Sequence, residues 1–122
     1  TDGRHPEVVV WGTGKAARDF IYAGDVADGI LRAAERNIGT ELINLSSGIE
    51  TPVREVVEQL TEVTGFSGRV VWDTTKPDGQ LHRRFDTTKA QRLLDWNAST
   101  RLRDGLALTV DWYRKHQGEA RR

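Results

Sequence analysis

Apolar residues recur along this chain with two spacings, and the change between them separates predicted strands from predicted helices. Short β-branched and aromatic runs predict extended segments at residues 8–11, 18–22, 41–45 and 69–72. Apolar residues three and four positions apart predict helices over residues 25–36, 51–64, 87–96 and 102–115. The alternation of the two types predicts a small mixed α/β fold.

Residues that favour helix ends lie near two of these segments. Asp25 is the predicted N-cap of the first helix, and Asn37 is predicted to end it. Thr51 is the predicted N-cap of the second helix, with Pro52 as its first residue and Gly65 after its last.

The segment after the first predicted strand contains the spacing G-x-G-x-x-A, from Gly12 through Gly14 to Ala17. A dinucleotide-binding turn of this kind needs an amphipathic helix directly after it, because the helix N-terminus holds the pyrophosphate. Here an aromatic and β-branched run follows instead, and Gly24 interrupts it. We therefore interpret the segment as a tight turn between two short strands, and we predict no cofactor-binding residue in it.

Composition and charge exclude several classes of function. The chain has 18 Lys and Arg against 18 Asp and Glu, so no overall field attracts nucleic acid or an anionic membrane. The absence of Cys excludes disulfides and thiolate metal sites and fits a reducing compartment. Neither a bilayer-spanning apolar stretch nor a signal peptide is recognisable. We expect a cytoplasmic protein without nucleic-acid or membrane partners.

Two residues beside the glycine turn suggest a ligand site. Trp11 and Arg18 would place an aromatic wall and a cation on one loop, which suits a sugar or a nucleotide diphosphate. The alternative is that Trp11 fills the core and that Arg18 pairs with an acid such as Asp19. The residues by themselves leave both interpretations open.

The remaining histidines and tryptophans favour structural roles. His5, His82 and His116 are too scattered for a recognisable metal-ligand spacing, so no metal site is predicted. Trp72 and Trp96 are predicted to pack in the core or against helices.

Longer motifs resemble a known family. The stretch "VVVWGTGKAARDFIYAGDVADGI" is similar to the segment W-G-(S/T)-G-x-x-x-R-(D/E)-F in the C-terminal half of extended short-chain dehydrogenases/reductases, the NAD-dependent epimerase/dehydratase family. The "NLSSG" loop, the "TKPDG" loop and the terminal "LRDGLALTVDWYRKH" follow in the family's order. The "TKPDG" loop resembles the GDP-L-fucose synthase branch. The resemblance implies that residues 1–122 form a single C-terminal substrate-binding domain, a small mixed α/β fragment lacking the Rossmann core.

The resemblance also implies roles for individual residues. Trp11 matches the family's substrate-contacting Trp, and Arg18 matches its diphosphate-binding Arg. Arg83 falls where GDP-L-fucose synthases have a substrate-binding Lys, so the charge is kept and the shape of the cation changes. Asp78 and Gly79 are expected to shape their loop. The implied ligand is a nucleotide-diphosphate sugar.

The family's nicotinamide chemistry uses a glycine-rich cofactor turn and a Tyr-x-x-x-Lys pair. Four residues after Tyr22 and Tyr113 stand Val26 and Gln117, so the resemblance implies no catalytic residue and no cofactor in this chain. NAD or NADP is expected in the full-length enzyme.

Two hypotheses follow from this. The chain is either the substrate-binding part of a nucleotide-sugar epimerase, dehydratase or reductase, or a stand-alone module that binds nucleotide sugars or a partner protein. The first hypothesis predicts an exposed apolar face and a homo-oligomer formed through it.

Overall fold

The computed structural model describes residues 6–120 of the 122-residue chain, with side chains described to residue 118. Strands and helices alternate in these residues, which confirms the mixed α/β prediction. The strands are β1 (Glu7–Trp11), β2 (Ala17–Asp19), β3 (Glu50–Pro52) and β4 (Arg69–Asp73). The helices are α1 (Ala23–Arg36), α2 (Val53–Thr64), α3 (Thr88–Leu94), α4 (Leu102–Lys115) and α5 (Gln117–Ala120). No helix among the described residues has the length and apolarity to cross a membrane.

The strands form two small sheets in the described part of the chain. β1 pairs with β4 in parallel, and Val10 lies opposite Trp72. β2 pairs with β3 in antiparallel fashion, and Arg18 lies opposite Thr51. The parallel pairing needs a long crossover, which here contains β2, α1, β3 and α2.

The fully buried core is centred on α3 and the segment after it. Ala90, Leu94 and Trp96 are at most 1% exposed, which confirms the core prediction for Trp96. The Trp96 indole donates a hydrogen bond to the Asp25 carbonyl oxygen at 3.0 Å. Partly buried apolar residues pack around this cluster: Ile21, Ala33, Ile38, Ile43, Leu45, Leu93 and Ala98.

The predicted cap of α1 was wrong. The helix begins at Ala23, after Tyr22, and Asp25 lies buried in its first turn. Its carboxylate accepts hydrogen bonds from the backbone amide and the hydroxyl of Thr100, at 3.0 and 2.9 Å. A partner 75 positions away therefore takes the side chain that local sequence assigned to the helix end. The predicted end of α1 at Asn37 is confirmed.

The predicted start of α2 was also wrong. Thr51 and Pro52 belong to β3, and the helix begins at Val53 without a side-chain cap. The Val53 amide donates to the Ala16 carbonyl oxygen at 2.8 Å, so the residues just before the helix lie alongside β2. Gly65 ends the helix in the left-handed region, as predicted.

Two of the predicted extended segments differ from the structure: one is shorter than expected, and the other is not a strand. β2 ends at Asp19, although residues 18–22 were predicted as one extended run. Residues 41–45 form no strand in the structure, and the side chains of Ile43 and Leu45 pack on the core cluster. The apolar residues of this segment therefore serve packing against the core, and they do not indicate a hydrogen-bonded strand.

An apolar groove opens between the parallel strand pair and α2. β1 is exposed at Val8 (46%) and Val9 (56%), although parallel strands are ordinarily covered on both faces. The groove has a volume of about 480 Å³ and is lined by Val8, Val10, Val57, Leu60, Thr61, Thr64, Phe66 and Val70.

Candidate functional site

The glycine turn joins two strands, as predicted. Gly12 and Gly14 have φ values of +96° and +81°, which favour glycine, and the chain then enters β2. A Cβ at Gly14 would also lie 2.9 Å from the Arg54 side chain and from the Trp72 ring. Both the backbone conformation and the close packing therefore require glycine at this position.

Asp78 fastens this turn to the loop that follows β4. Its Oδ1 accepts the Thr13 backbone amide and its Oδ2 accepts the Thr13 hydroxyl, both at 2.7 Å. A Cβ on Gly12 would lie 2.3 Å from Asp78 Oδ1, so the contact needs glycine there too. The hydrogen bonds from the hydroxyl and then the amide of Thr13 hold the pKa of Asp78 below its ordinary value.

Trp11 stands at the exposed edge of this arrangement. Its side chain is 68% exposed, so the alternative that it fills the core was wrong. The Lys76 ammonium lies over the Trp11 ring, 5.0 Å from its centroid. Lys76 was not predicted as a site residue from the sequence, although it belongs to the "TKPDG" loop that carries the family resemblance.

Backbone pairing makes the segments that carry Arg18 and Arg83 neighbours. Ala17 forms a parallel bridge with His82, and its amide donates to the Leu81 carbonyl oxygen at 2.8 Å. Arg18 follows one member of the bridge and Arg83 follows the other. The backbone segments that carry the two arginines are therefore neighbours.

Arg18 is not paired with Asp19. The Asp19 carboxylate instead accepts the backbone amides of Ser47 and Gly48, at 2.9 and 2.8 Å, and the Ser47 hydroxyl. Burial alone raises the pKa of Asp19, but these hydrogen bonds outweigh it and lower the pKa overall. Arg18 donates to its neighbour's carbonyl, Ala17 O, at 2.9 Å. Within the described residues, no carboxylate forms an ion pair with it.

The loop after β4 also reaches Arg18. A Cβ built on Gly79 would lie 3.7 Å from Arg18 Nη2. Trp11 and Arg18 thus lie on the strands at the two ends of the glycine turn, Lys76 and Arg83 lie in the segment after β4, and the Asp78 carboxylate joins that turn to that segment. An aromatic surface beside several cations is an arrangement that suits phosphate groups attached to a ring system.

Metal binding has no support in the described part of the chain, where no group of three His, Asp or Glu residues could hold an ion. His82 lies 3.4 Å from a Glu50 oxygen, and His116 stacks on Trp112. His5 lies outside the described residues.

Comparison with known proteins assigns the family. The model of the NAD dependent epimerase/dehydratase family matches residues 1–46, which include Trp11 and Arg18. GDP-L-fucose synthase 1 of Arabidopsis thaliana is 44% identical over 110 residues, covering 90% of this chain and 34% of that protein. This chain belongs to the NAD-dependent epimerase/dehydratase family. It spans about a third of the length of the curated relatives it matches.

Solved structures place the fold in the same family. UDP-glucose 4-epimerase from Thermotoga maritima, determined with UDP-glucose, is 35% identical with a TM-score of 0.78. The similarity covers 89% of this chain and 35% of that chain. The GDP-L-fucose synthetase of Naegleria fowleri, bound to NADP, is 28% identical with a TM-score of 0.83, over 95% of this chain and 37% of that one.

Proposed function

We propose that residues 1–122 are the C-terminal substrate-binding domain of a nucleotide-sugar epimerase, dehydratase or reductase similar to GDP-L-fucose synthases. In this proposal Trp11, Arg18 and Arg83 bind the nucleotide-diphosphate sugar. The observation that supports it is the bridge between Ala17 and His82, which makes the backbone segments that carry Arg18 and Arg83 neighbours, together with the exposure of Trp11 on the strand before the glycine turn.

The chemistry of these side chains matches the proposed ligand. A diphosphate presents several anionic oxygens, and each guanidinium can donate two parallel hydrogen bonds to them. The exposed Trp11 ring offers a flat surface for a base or a sugar. These residues would bind and orient the substrate, and this chain's part in the reaction is positioning.

The cofactor is proposed to bind elsewhere in the full-length protein. The family is NAD dependent, and the Naegleria fowleri relative was determined with NADP bound. The turn at Gly12 and Gly14 does not fit such a dinucleotide, because it leads into β2 and not into a helix that could hold the pyrophosphate. NAD or NADP and the catalytic Tyr and Lys are therefore proposed for the part of the protein outside this chain.

The apolar groove favours this proposal over a stand-alone binding module. A module evolved to exist alone is expected to carry polar residues on its outer face, whereas β1, β4 and α2 present a nearly continuous apolar lining. Self-association through this face and a cytoplasmic location remain predictions. Sedimentation of the purified protein at several concentrations tests the first.

Calorimetric titration tests the proposed function. The protein expressed from its complete reading frame is titrated with GDP-sugars and UDP-sugars, as wild type and as Arg18→Ala and Arg83→Ala. Each variant is expected to bind about tenfold more weakly, because a charge-assisted contact to phosphate is lost. Arg36→Ala is the matched control, since Arg36 is exposed at the far end of α1. Wild-type affinity in either site variant removes that arginine from the site.

A further inference from the structure

Lys76 is a cation that the function proposed above leaves without a role. Its ammonium lies 5.0 Å from the centroid of the exposed Trp11 ring. Within the described residues, no carboxylate forms an ion pair with it. An ammonium group held only by an exposed ring is available to a stronger partner.

The backbone around Lys76 is fixed on both sides. Its amide donates to the Asp73 carbonyl oxygen at 3.2 Å, and two residues later Asp78 is bonded to Thr13. The flexible side chain is therefore the part that can move, pivoting from a fixed point. The same loop reaches Arg18 at Gly79, where a Cβ would lie 3.7 Å from Arg18 Nη2, so the loop that carries Lys76 also contacts Arg18 three residues later.

We propose that Lys76 binds the diphosphate of the nucleotide sugar as a third cation beside Arg18 and Arg83, and that its ammonium leaves the Trp11 ring to do so. The inference rests on the proposed function. A charge-assisted hydrogen bond to phosphate is stronger than a solvent-exposed contact between a cation and a ring, so the exchange is favourable.

The exchange has a consequence for specificity. When Lys76 moves to the phosphates, the face of Trp11 that it covered becomes free for the base or the sugar. A ligand without phosphates cannot draw Lys76 away and meets a ring that is already covered. The site is therefore selective for nucleoside diphosphates over nucleosides through Lys76 itself.

The test compares GDP and UDP with guanosine and uridine on the protein from the complete reading frame. Lys76→Met is expected to weaken binding of the preferred diphosphate about tenfold but not to weaken nucleoside binding, because the variant no longer holds an ammonium over the Trp11 ring. Lys76→Arg keeps the charge and is expected to retain most of the affinity. Lys115→Met is the control, since Lys115 is exposed on α4 and pairs with Asp111 at 3.0 Å.

Tryptophan fluorescence reports whether the Lys76 ammonium lies over the Trp11 ring. The diphosphate is expected to change the emission of wild type, and the change should vanish in Trp11→Phe, which separates the signal of Trp11 from that of the other tryptophans. In Lys76→Met the free protein should already lack the quenching or shift caused by the cation.

Three results would overturn the proposal. If wild type binds no nucleoside diphosphate, the proposed function fails and this inference fails with it. If wild type binds and depends on Arg18, but Lys76→Met binds equally well, the inference about Lys76 alone is wrong. If Lys76→Met weakens nucleosides as much as diphosphates, Lys76 only positions Trp11 and does not bind phosphate.

Discussion

The Asp78 carboxylate holds Thr13 by two hydrogen bonds of 2.7 Å, one to its backbone amide and one to its hydroxyl, across 65 positions of sequence. This contact joins the turn that follows Trp11 to the loop that carries Lys76. The relative position of the aromatic ring and the cations therefore depends on one carboxylate that need not touch the ligand itself.

Removing this carboxylate should loosen the site. Asp78→Ala is expected to weaken diphosphate binding about tenfold, because both hydrogen bonds to Thr13 are lost and the two loops separate. Asp78→Asn should have a smaller effect, since its amide can accept from the Thr13 amide and donate to the hydroxyl. Calorimetric titration of both variants measures the difference. Wild-type affinity in Asp78→Ala would contradict the positioning role.

Acid should weaken the same contact. The pKa of Asp78 lies below its ordinary value of 3.8 in the folded chain, so the stabilisation is present above that value and disappears as the pH falls through the lowered pKa. The stability difference between wild type and Asp78→Ala is expected to stay constant from about pH 7 to about pH 5 and to shrink below about pH 4. Urea unfolding at each pH measures it. A difference that grows in acid would show the opposite linkage.

The buried carboxylate of Asp25 should contribute to stability. Asp25→Ala leaves the partly buried Thr100 amide and hydroxyl without their acceptor, at a total cost of about 1–3 kcal/mol. Asp28→Ala, in the same helix, removes only an exposed ion pair with Arg32 and should cost less than about 0.5 kcal/mol. Equal free energies of unfolding for the two variants would show that the contact of Asp25 with Thr100 contributes no more stability than the exposed ion pair.

Trp96 and Trp112 provide a second matched pair. Trp96 is 1% exposed and its indole is bonded to the Asp25 carbonyl, whereas Trp112 is 51% exposed. Trp96→Ala is expected to lower the free energy of unfolding by roughly 3–5 kcal/mol, because it leaves a large cavity in the core. Trp112→Ala should cost much less. Thermal and urea denaturation of the two proteins decide whether the core is centred where the structure places it.

Local spacing determined most of the helices. α4 runs from Leu102 to Lys115, as its apolar stripe predicts, and Asn37 and Gly65 end α1 and α2 where their conformational preferences indicate. A helix satisfies its hydrogen bonds within itself, so residues three and four apart carry enough information to predict it.

Strands depended on partners that the local pattern does not contain. Residues 41–45 are rich in apolar residues, as strands are, but they form no strand in the structure, and Ile43 and Leu45 pack against the core. Thr51 was assigned to a helix start, but its pairing with Arg18 places it in β3. A strand exists only when another segment supplies hydrogen bonds, and tertiary structure chooses that segment.

The candidate site also contains residues that the sequence predicted and one that it did not. The sequence, through its family resemblance, pointed to Trp11, Arg18 and Arg83, because these residue types stand at recognisable positions in motifs. Lys76 was not found, since its importance lies in its distance from the Trp11 ring. By itself the sequence determined the existence of the four longer helices, the glycine turn and the family resemblance. The contacts of Asp78 with Thr13 and of Ala17 with His82 were decided only by the tertiary structure, because hydrogen bonds between distant segments depend on how the whole chain packs.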